Sequence, residues 1–198
     1  MVLRGLDING VGTGLNGVRF LAGGSLFVEN CTIYGFTGKG IDAQPSAASQ
    51  LFVTDSVIRD NRGAGGGGIL LTPTATGSLV ATLERVRLER NRFGLRVDDR
   101  ARASVRDSVA SGNNTNGFLV SSAGGLALLG IENSLASDNT NNGISAQGAN
   151  ATVRMSNVVV TGNGTGLSSG GAAIVSFGNN RIAGNGIDGA PTSTIGQQ

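Results

Sequence analysis

Glycine followed by an apolar residue recurs along the whole chain, at Gly17-Val18, Gly40-Ile41, Gly68-Ile69, Gly94-Leu95, Gly117-Phe118, Gly143-Ile144, Gly166-Leu167 and Gly186-Ile187. The steps between these pairs are 23, 28, 26, 23, 26, 23 and 20 residues. Self-similarity at such a period marks a chain that stacks copies of one supersecondary unit. Two residues after each apolar position stand Phe20, Ala43, Leu71, Val97, Val120, Ala146, Ser169 and Gly189. Alternation with period 2 predicts a strand with one buried face. The burial of this strand is expected to weaken toward the C-terminus.

A second column reads Leu3, Val28, Val53, Leu83, Val105, Ile131, Met155 and Phe177, with Leu26, Leu51, Ala81, Ala103, Leu129, Val153 and Val175 two residues earlier. Two residues later come Gly5, Asn30, Asp55, Arg85, Asp107, Asn133, Asn157 and Asn179. Beyond them the inward parity slips by one, and the next apolar column is Ile8, Ile33, Ile58, Leu88, Ala110, Ala136, Val160 and Ile182. The slip predicts a sharp corner, since Asn, Asp and Gly accept the left-handed backbone conformation most readily. Amides stacked at this corner, about 4.8 Å apart, are placed to hydrogen-bond as a ladder. Three short strands and three turns per coil predict an all-β, single-stranded right-handed parallel β-helix of about eight coils. Its three short parallel sheets form one domain over residues 1–198, with a polar tail at 190–198 closing the C-terminal end.

Composition agrees and excludes much else. The 198 residues include 34 glycines and 18 asparagines, against a usual glycine share of about 7%; no triplet period makes this collagen. The absence of histidine removes His-based triads, histidine general bases and imidazole metal sites. The single cysteine, Cys31, forms no internal disulfide and reads as a small core residue in a column with Leu6, Ser56 and Val86. A net charge of +2 is too small to imply nucleic acid, and no stretch approaches the ~20 apolar residues of a membrane span. Gly65-Gly66-Gly67-Gly68, expected in the longest intercoil loop, lacks the Lys-Ser/Thr of a phosphate loop. Met1-Val2-Leu3-Arg4-Gly5 lacks a signal-peptide pattern. We therefore expect an N-terminally truncated β-helix whose open first coil pairs with another copy.

The segments Val105-Arg106-Asp107-Ser108-Val109-Ala110-Ser111-Gly112-Asn113 and Ile131-Glu132-Asn133-Ser134-Leu135-Ala136-Ser137-Asp138-Asn139 carry a resemblance. The pattern resembles the parallel β-helix repeat of the pectate-lyase-like superfamily, and the chain is similar to uncharacterised secreted bacterial β-helix proteins. The resemblance spans essentially the whole chain. It implies a fold strongly and an activity weakly, since that superfamily spans lyases, hydrolases, epimerases, phage tailspikes and surface proteins. It implies an extracellular or cell-surface location. Of the polygalacturonase elements only Asp98-Asp99 and Arg181-Ile182 are present, and the coil register assigns them to different sheets.

Enzymes of this kind place their site on the outward positions of one sheet. On the Gly-apolar strand these are Arg19, Asp42, Leu70, Arg96, Leu119, Ser145, Ser168 and Asp188. A lyase needs carboxylates for Ca²⁺ and a basic residue to take a proton, so Arg96 with Asp98 and Asp99 is a candidate catalytic cluster. Arg19 and Asp42, on adjacent rungs, form a second. Asp98 and Asp99 are the candidate metal ligands, with Ca²⁺ implied only under the lyase reading; otherwise no cofactor is expected. Arg85, Arg87, Arg90, Arg92, Arg96, Arg100, Arg102 and Arg106 concentrate positive charge in one coil. Guanidinium forks suit carboxylate and sulfate, which makes an acidic polysaccharide the expected partner of the 85–106 coil. With Glu84, Glu89, Asp98, Asp99 and Asp107 among them, an ion-paired band is the plainer reading. An outward stripe of Val57, Val109, Leu135 and Val159, with Phe27 and Phe52 outward on the neighbouring sheet, is expected to be covered by a long loop or a missing segment, or else to form a second self-association face. Together these features favour a non-catalytic scaffold of structural, adhesive or glycan-contacting type, with a polysaccharide lyase acting on an acidic glycan as the alternative. No regular Thr-x-Thr column supports ice binding.

Overall fold

The computed structural model describes residues 1–196. Among them the chain forms three sheets of nine, eight and seven strands and no helix. The chain visits the first, second and third sheet in turn and then stacks a new coil on the last. Paired strands within each sheet run parallel and in register, as in Leu26↔Leu51, Leu51↔Ala81, Ala81↔Ala103 and Ala103↔Leu129. Each inward column stacks like on like, so the core is one continuous apolar rod. The expected β-helix is present, with its columns in place through the seventh coil.

Two left-handed residues bracket the six inner strands of the second sheet, from Thr32–Tyr34 to Val159–Thr161. The first corner holds Gly5, Asn30, Asp55, Arg85, Asp107, Asn133 and Asn157, with φ from 47° to 65°. The second holds Gly35, Asp60, Arg90, Gly112, Asp138, Gly162 and Gly184, with φ from 50° to 75°. The first kink turns the following N–H out of the regular ladder, and serines satisfy it from the next coil. Ser56 Oγ accepts from Cys31 N at 3.0 Å, Ser108 Oγ from Val86 N at 3.0 Å and Ser134 Oγ from Ser108 N at 3.1 Å. Cys31 is buried in this column, and its Sγ donates to Glu29 O as the serines donate two residues back.

The expected asparagine ladder exists, but its continuous form lies at the second corner. There Asn61, Asn91, Asn113, Asn139 and Asn163 are buried, with Asn185 half-buried above them. Above Asn61, whose oxygen accepts Phe36 N, each amide oxygen accepts the backbone N–H of the asparagine one coil below, as in Asn113 N→Asn139 Oδ1 at 3.1 Å. From Asn91 onward each amide nitrogen donates to a carbonyl in the coil below, as Asn139 Nδ2 does to Ala110 O at 3.0 Å. Side chains also bond directly, Asn139 Nδ2 to Asn163 Oδ1 at 2.8 Å. At the first corner only Asn157 reaches a neighbouring asparagine amide, Asn133 Oδ1 at 2.7 Å, while its N–H meets Asn179 Oδ1. The first corner is solvent-exposed, so water serves its side chains and nothing forces a continuous chain there.

The repeated glycines are explained differently from the corner residues. Gly40, Gly68, Gly94, Gly117, Gly143 and Gly166 do not have positive φ. A Cβ at Gly117 would stand 2.7 Å from Gly143 O and 2.8 Å from Asn139 Nδ2, and the other positions meet the same kind of obstacle. They are glycine because the next coil and its asparagine fill the space of a side chain.

The ends depart from the periodic expectation. In the last coil Met155 pairs with Ser176 and Val153 with Ile174, one residue earlier than the columns predict. The left-handed corner passes to Gly178, Asn180 takes the serine role toward Val158 N at 2.8 Å, and the extra residue restores Val160↔Ile182. Gly186-Ile187 makes one isolated bridge to Thr165 instead of an eighth strand, and Ile187 is exposed. Asp188, expected as an outward strand residue, instead accepts both Asn185 N and Asn185 Nδ2 at 2.9 Å and terminates the ladder. In the polar tail, Ser193–Thr194 adds the outermost strand of the first sheet and Thr192 bonds Ile174; Gln197 and Gln198 lie outside the described residues. At the other end Phe36 occupies the ladder position, and its ring fills the space beside Gly10, Gly14 and Gly17. Gly65 and Gly66 lie in the connection before the third sheet while Gly67 and Gly68 belong to its strand, and the Gly10–Gly17 connection is longer.

Replacing Asn139 by alanine strips Asn113 N–H and Ala110 C=O of their buried partners. We predict a loss of about 3 kcal/mol or more, on the scale of about 1–3 kcal/mol per orphaned buried group. Exposed Asn114→Ala should cost under ~0.5 kcal/mol. Urea unfolding of both variants tests this, and equal midpoints would refute the structural role of the ladder.

Candidate functional site

The outer face of the third sheet is partly enclosed. Asp42, Leu70, Leu119 and Ser145 occupy outward positions and are nevertheless buried. The position before each repeated glycine explains part of this cover. Lys39 pairs with Gly67, and the missing side chain at Gly67 lets Phe93 lie across it; a Cβ there would sit 2.2 Å from the ring. Phe93, Leu70 and Leu119 contribute the apolar part of a groove of about 390 Å³ that reaches the Ala64-Gly65-Gly66 turn. Its charged lining residues are Lys39, Arg92 and Arg96. Among the described residues neither Lys39 nor Arg92 is in an ion pair. Like charges converging over a low-dielectric floor focus positive potential into the groove. Next to Leu119 in the same outward row, Ser145 Oγ is buried without a hydrogen-bond partner.

The structure splits the expected catalytic clusters. Arg96 Nε donates to Asp98 Oδ1 at 2.8 Å, so these two do meet. Asp99 turns away to accept Ala123 N at 3.0 Å and anchors the loop of the next coil. Arg19 and Asp42 approach to 3.4 Å, and Asp42 also accepts Gln44 Nε2 at 2.8 Å and Asn16 Nδ2 at 3.3 Å. That carboxylate is 3% exposed and surrounded by donors, which leaves it little contact with solvent. Among the described residues no group of three His, Cys, Asp or Glu is placed to hold a metal ion. Arg181 lies in the second sheet, away from Asp98 as the register requires.

The arginine-rich coil separates by column. Arg85 forks onto Asp55 one rung below, Nε to Oδ1 at 2.6 Å and Nη2 to Oδ2 at 3.0 Å, and also pairs with Glu84. Arg90 forks onto Asp60 at 2.9 and 3.0 Å. Arg87 pairs with Glu89, Arg106 with Glu132, and Arg100 reaches Thr74 O. Arg102 is exposed on the first sheet. Only Arg92 and Arg96 turn toward the groove, and Lys39, two coils earlier, joins them. Lys39 escaped the sequence reading because it lies outside the arginine cluster; its place before Gly40 was the available signal. The outward stripe is half-buried at Val57, Val109, Leu135 and Val159, and the last three line a shallow depression with Asp107 and Arg181. Phe27 and Phe52 stack at 4.8 Å, and Arg59 sits over the Tyr34 ring at 4.2 Å.

Residues 67–194 match the family model described as a right handed beta helix region. No curated protein and no solved structure matches the chain. Among the described residues no helix is long and apolar enough to cross a membrane.

The Arg85 fork holds the Asp55 carboxyl below its ordinary value, and the Arg90 fork, helped by Arg59, does the same to Asp60. A carboxyl depressed on folding stabilises above its unfolded value near 3.9, and that contribution disappears as pH falls through the folded value. An Arg85→Gln/Arg90→Gln variant should unfold at lower urea than the wild type near neutral pH. The gap should close below about pH 4. A gap that stays constant into strong acid would contradict this assignment.

Proposed function

Because this chain belongs to the right-handed β-helix family, we propose that it is a non-catalytic scaffold that holds an acidic glycan in the cationic groove of its third sheet. The observation that carries this reading is the pair Lys39 and Arg92, two cations that line a groove and have no carboxylate partner among the described residues. A polyanionic chain supplies the missing charges, and Arg96 contributes a further donor from the groove wall. The carboxylates nearby support a binding role over a chemical one. Asp42, Asp98 and Asp99 are each already engaged by protein donors. A lyase at Arg96 would have to release its guanidinium from Asp98 and assemble Ca²⁺ ligands beyond Asp98 and Asp99. A glycan partner fits an extracellular or cell-surface setting, in keeping with the proteins whose repeat this chain resembles.

Isothermal titration against polygalacturonate, alginate, heparin and chondroitin sulfate tests the reading. We expect binding of at least one polyanion that weakens with salt and falls at least tenfold in the Lys39→Gln/Arg92→Gln variant. Absorbance of unsaturated sugar ends should stay flat over long incubation. No binding, or equal binding by the variant, would sink the proposal; a rise in absorbance would favour the lyase.

A further inference from the structure

Gly130 lies inside the strand Ala127–Glu132, between the buried residues Leu129 and Ile131, so its own position faces outward from the first sheet. Nothing requires a glycine there. Its φ is not positive, and an added Cβ would meet no atom within 4 Å. Among the described residues it is the one strand glycine of which both statements hold; a Cβ would meet backbone or side-chain atoms within 3.2 Å at the others except Gly170, where the contact is an ordinary 3.5 Å. Glycine within a strand gives up side-chain packing and backbone restraint, and it often marks where a ligand approaches the backbone.

Gly130 forms the floor of a groove of about 550 Å³, larger than the cationic groove on the third sheet. Its in-register neighbours are Ser104 below and Arg154 above. Glu84, Arg106 and Glu132 line one side, and the half-buried Phe177 contributes an aromatic ring. The groove is charge-balanced, with two carboxylates and two guanidinium groups. Arg106 and Glu132 are only 3.6 Å apart, and Arg154 has no ion pair among the described residues.

We infer that this groove is a second binding site, for an uncharged saccharide, with Gly130 kept small to admit the sugar ring against the strand backbone. A simple anion would meet Glu84 and Glu132, and a simple cation would meet Arg106 and Arg154. Vicinal hydroxyls use both sets, accepting from guanidinium groups and donating to carboxylates, while Ser104 serves either way. The apolar face of a pyranose ring suits Phe177. This site stands on different residues, a different sheet and a different ligand charge from the groove that carries the proposed function.

The experiment is titration calorimetry and saturation-transfer NMR with maltohexaose, cellohexaose, mannohexaose and xylohexaose on the full chain. At least one should bind the wild type, and Gly130→Val should weaken it at least tenfold while the melting temperature stays equal or rises. The Lys39→Gln/Arg92→Gln variant should bind that oligosaccharide as the wild type does. Four sugars without binding, full binding by Gly130→Val, or a lowered melting temperature in that variant would each overturn the inference. Loss of binding in the Lys39/Arg92 variant would also overturn it, by showing a single site.

Discussion

The carboxamides of Asn91, Asn113, Asn139 and Asn163 meet two needs of the second corner at once. A left-handed residue before each of them diverts the backbone, leaving a buried N–H and a buried carbonyl out of the regular parallel pattern. Water has no access there, and an apolar side chain cannot serve either group. An asparagine supplies the acceptor and the donors from one flat group and passes the same requirement to the next coil. The neighbouring glycine column follows from it, because each amide takes up space that a Cβ would need. Once ladder and glycine column are set, the sheets on either side have their register and inward faces fixed.

Much of this was visible in the residue columns. The three apolar columns and the left-handed first corner follow from side-chain parity, which a stacked parallel strand cannot violate. The location of the buried ladder was harder to read. Both corners are rich in asparagine, and only burial separates Asn113, with its amide inside the wall, from Asn133, with its amide in solvent. The break at Gly178 escaped for another reason. A one-residue insertion leaves the apolar count intact, so Val175 and Phe177 read as well as Ile174 and Ser176. The cationic groove was half legible. Arg92 and Arg96 stood out in the sequence, whereas their meeting with Lys39 depends on how Phe93 folds over Gly67.

The rung spacing also sorts the charges. A corner Asp one coil below a corner Arg is at fork distance, so Asp55–Arg85 and Asp60–Arg90 close on either side of the same second-sheet strands. These exposed pairs are modest in energy, but they remove most of an apparent arginine patch from any search for a ligand. Among the cations without an ion pair in the described residues, Lys39 and Arg92 line the groove of the third sheet and Arg154 that of the first. Glycine divides in the same way. Gly117 is dictated by the coil above, and Gly130 is dictated by nothing within the protein.

The ladder has a direction, since the amide nitrogens of Asn61, Asn113, Asn139 and Asn163 each donate up the stack to the next amide oxygen. Asp188 closes that ladder with a carboxylate that accepts twice and, ionised, has no hydrogen to donate onward. Phe36 closes the opposite end with a hydrocarbon ring where an amide would stand. A column built from repeatable rungs is thus bounded, within the described residues, by an aromatic ring at Phe36 and a carboxylate at Asp188, neither of which repeats the carboxamide.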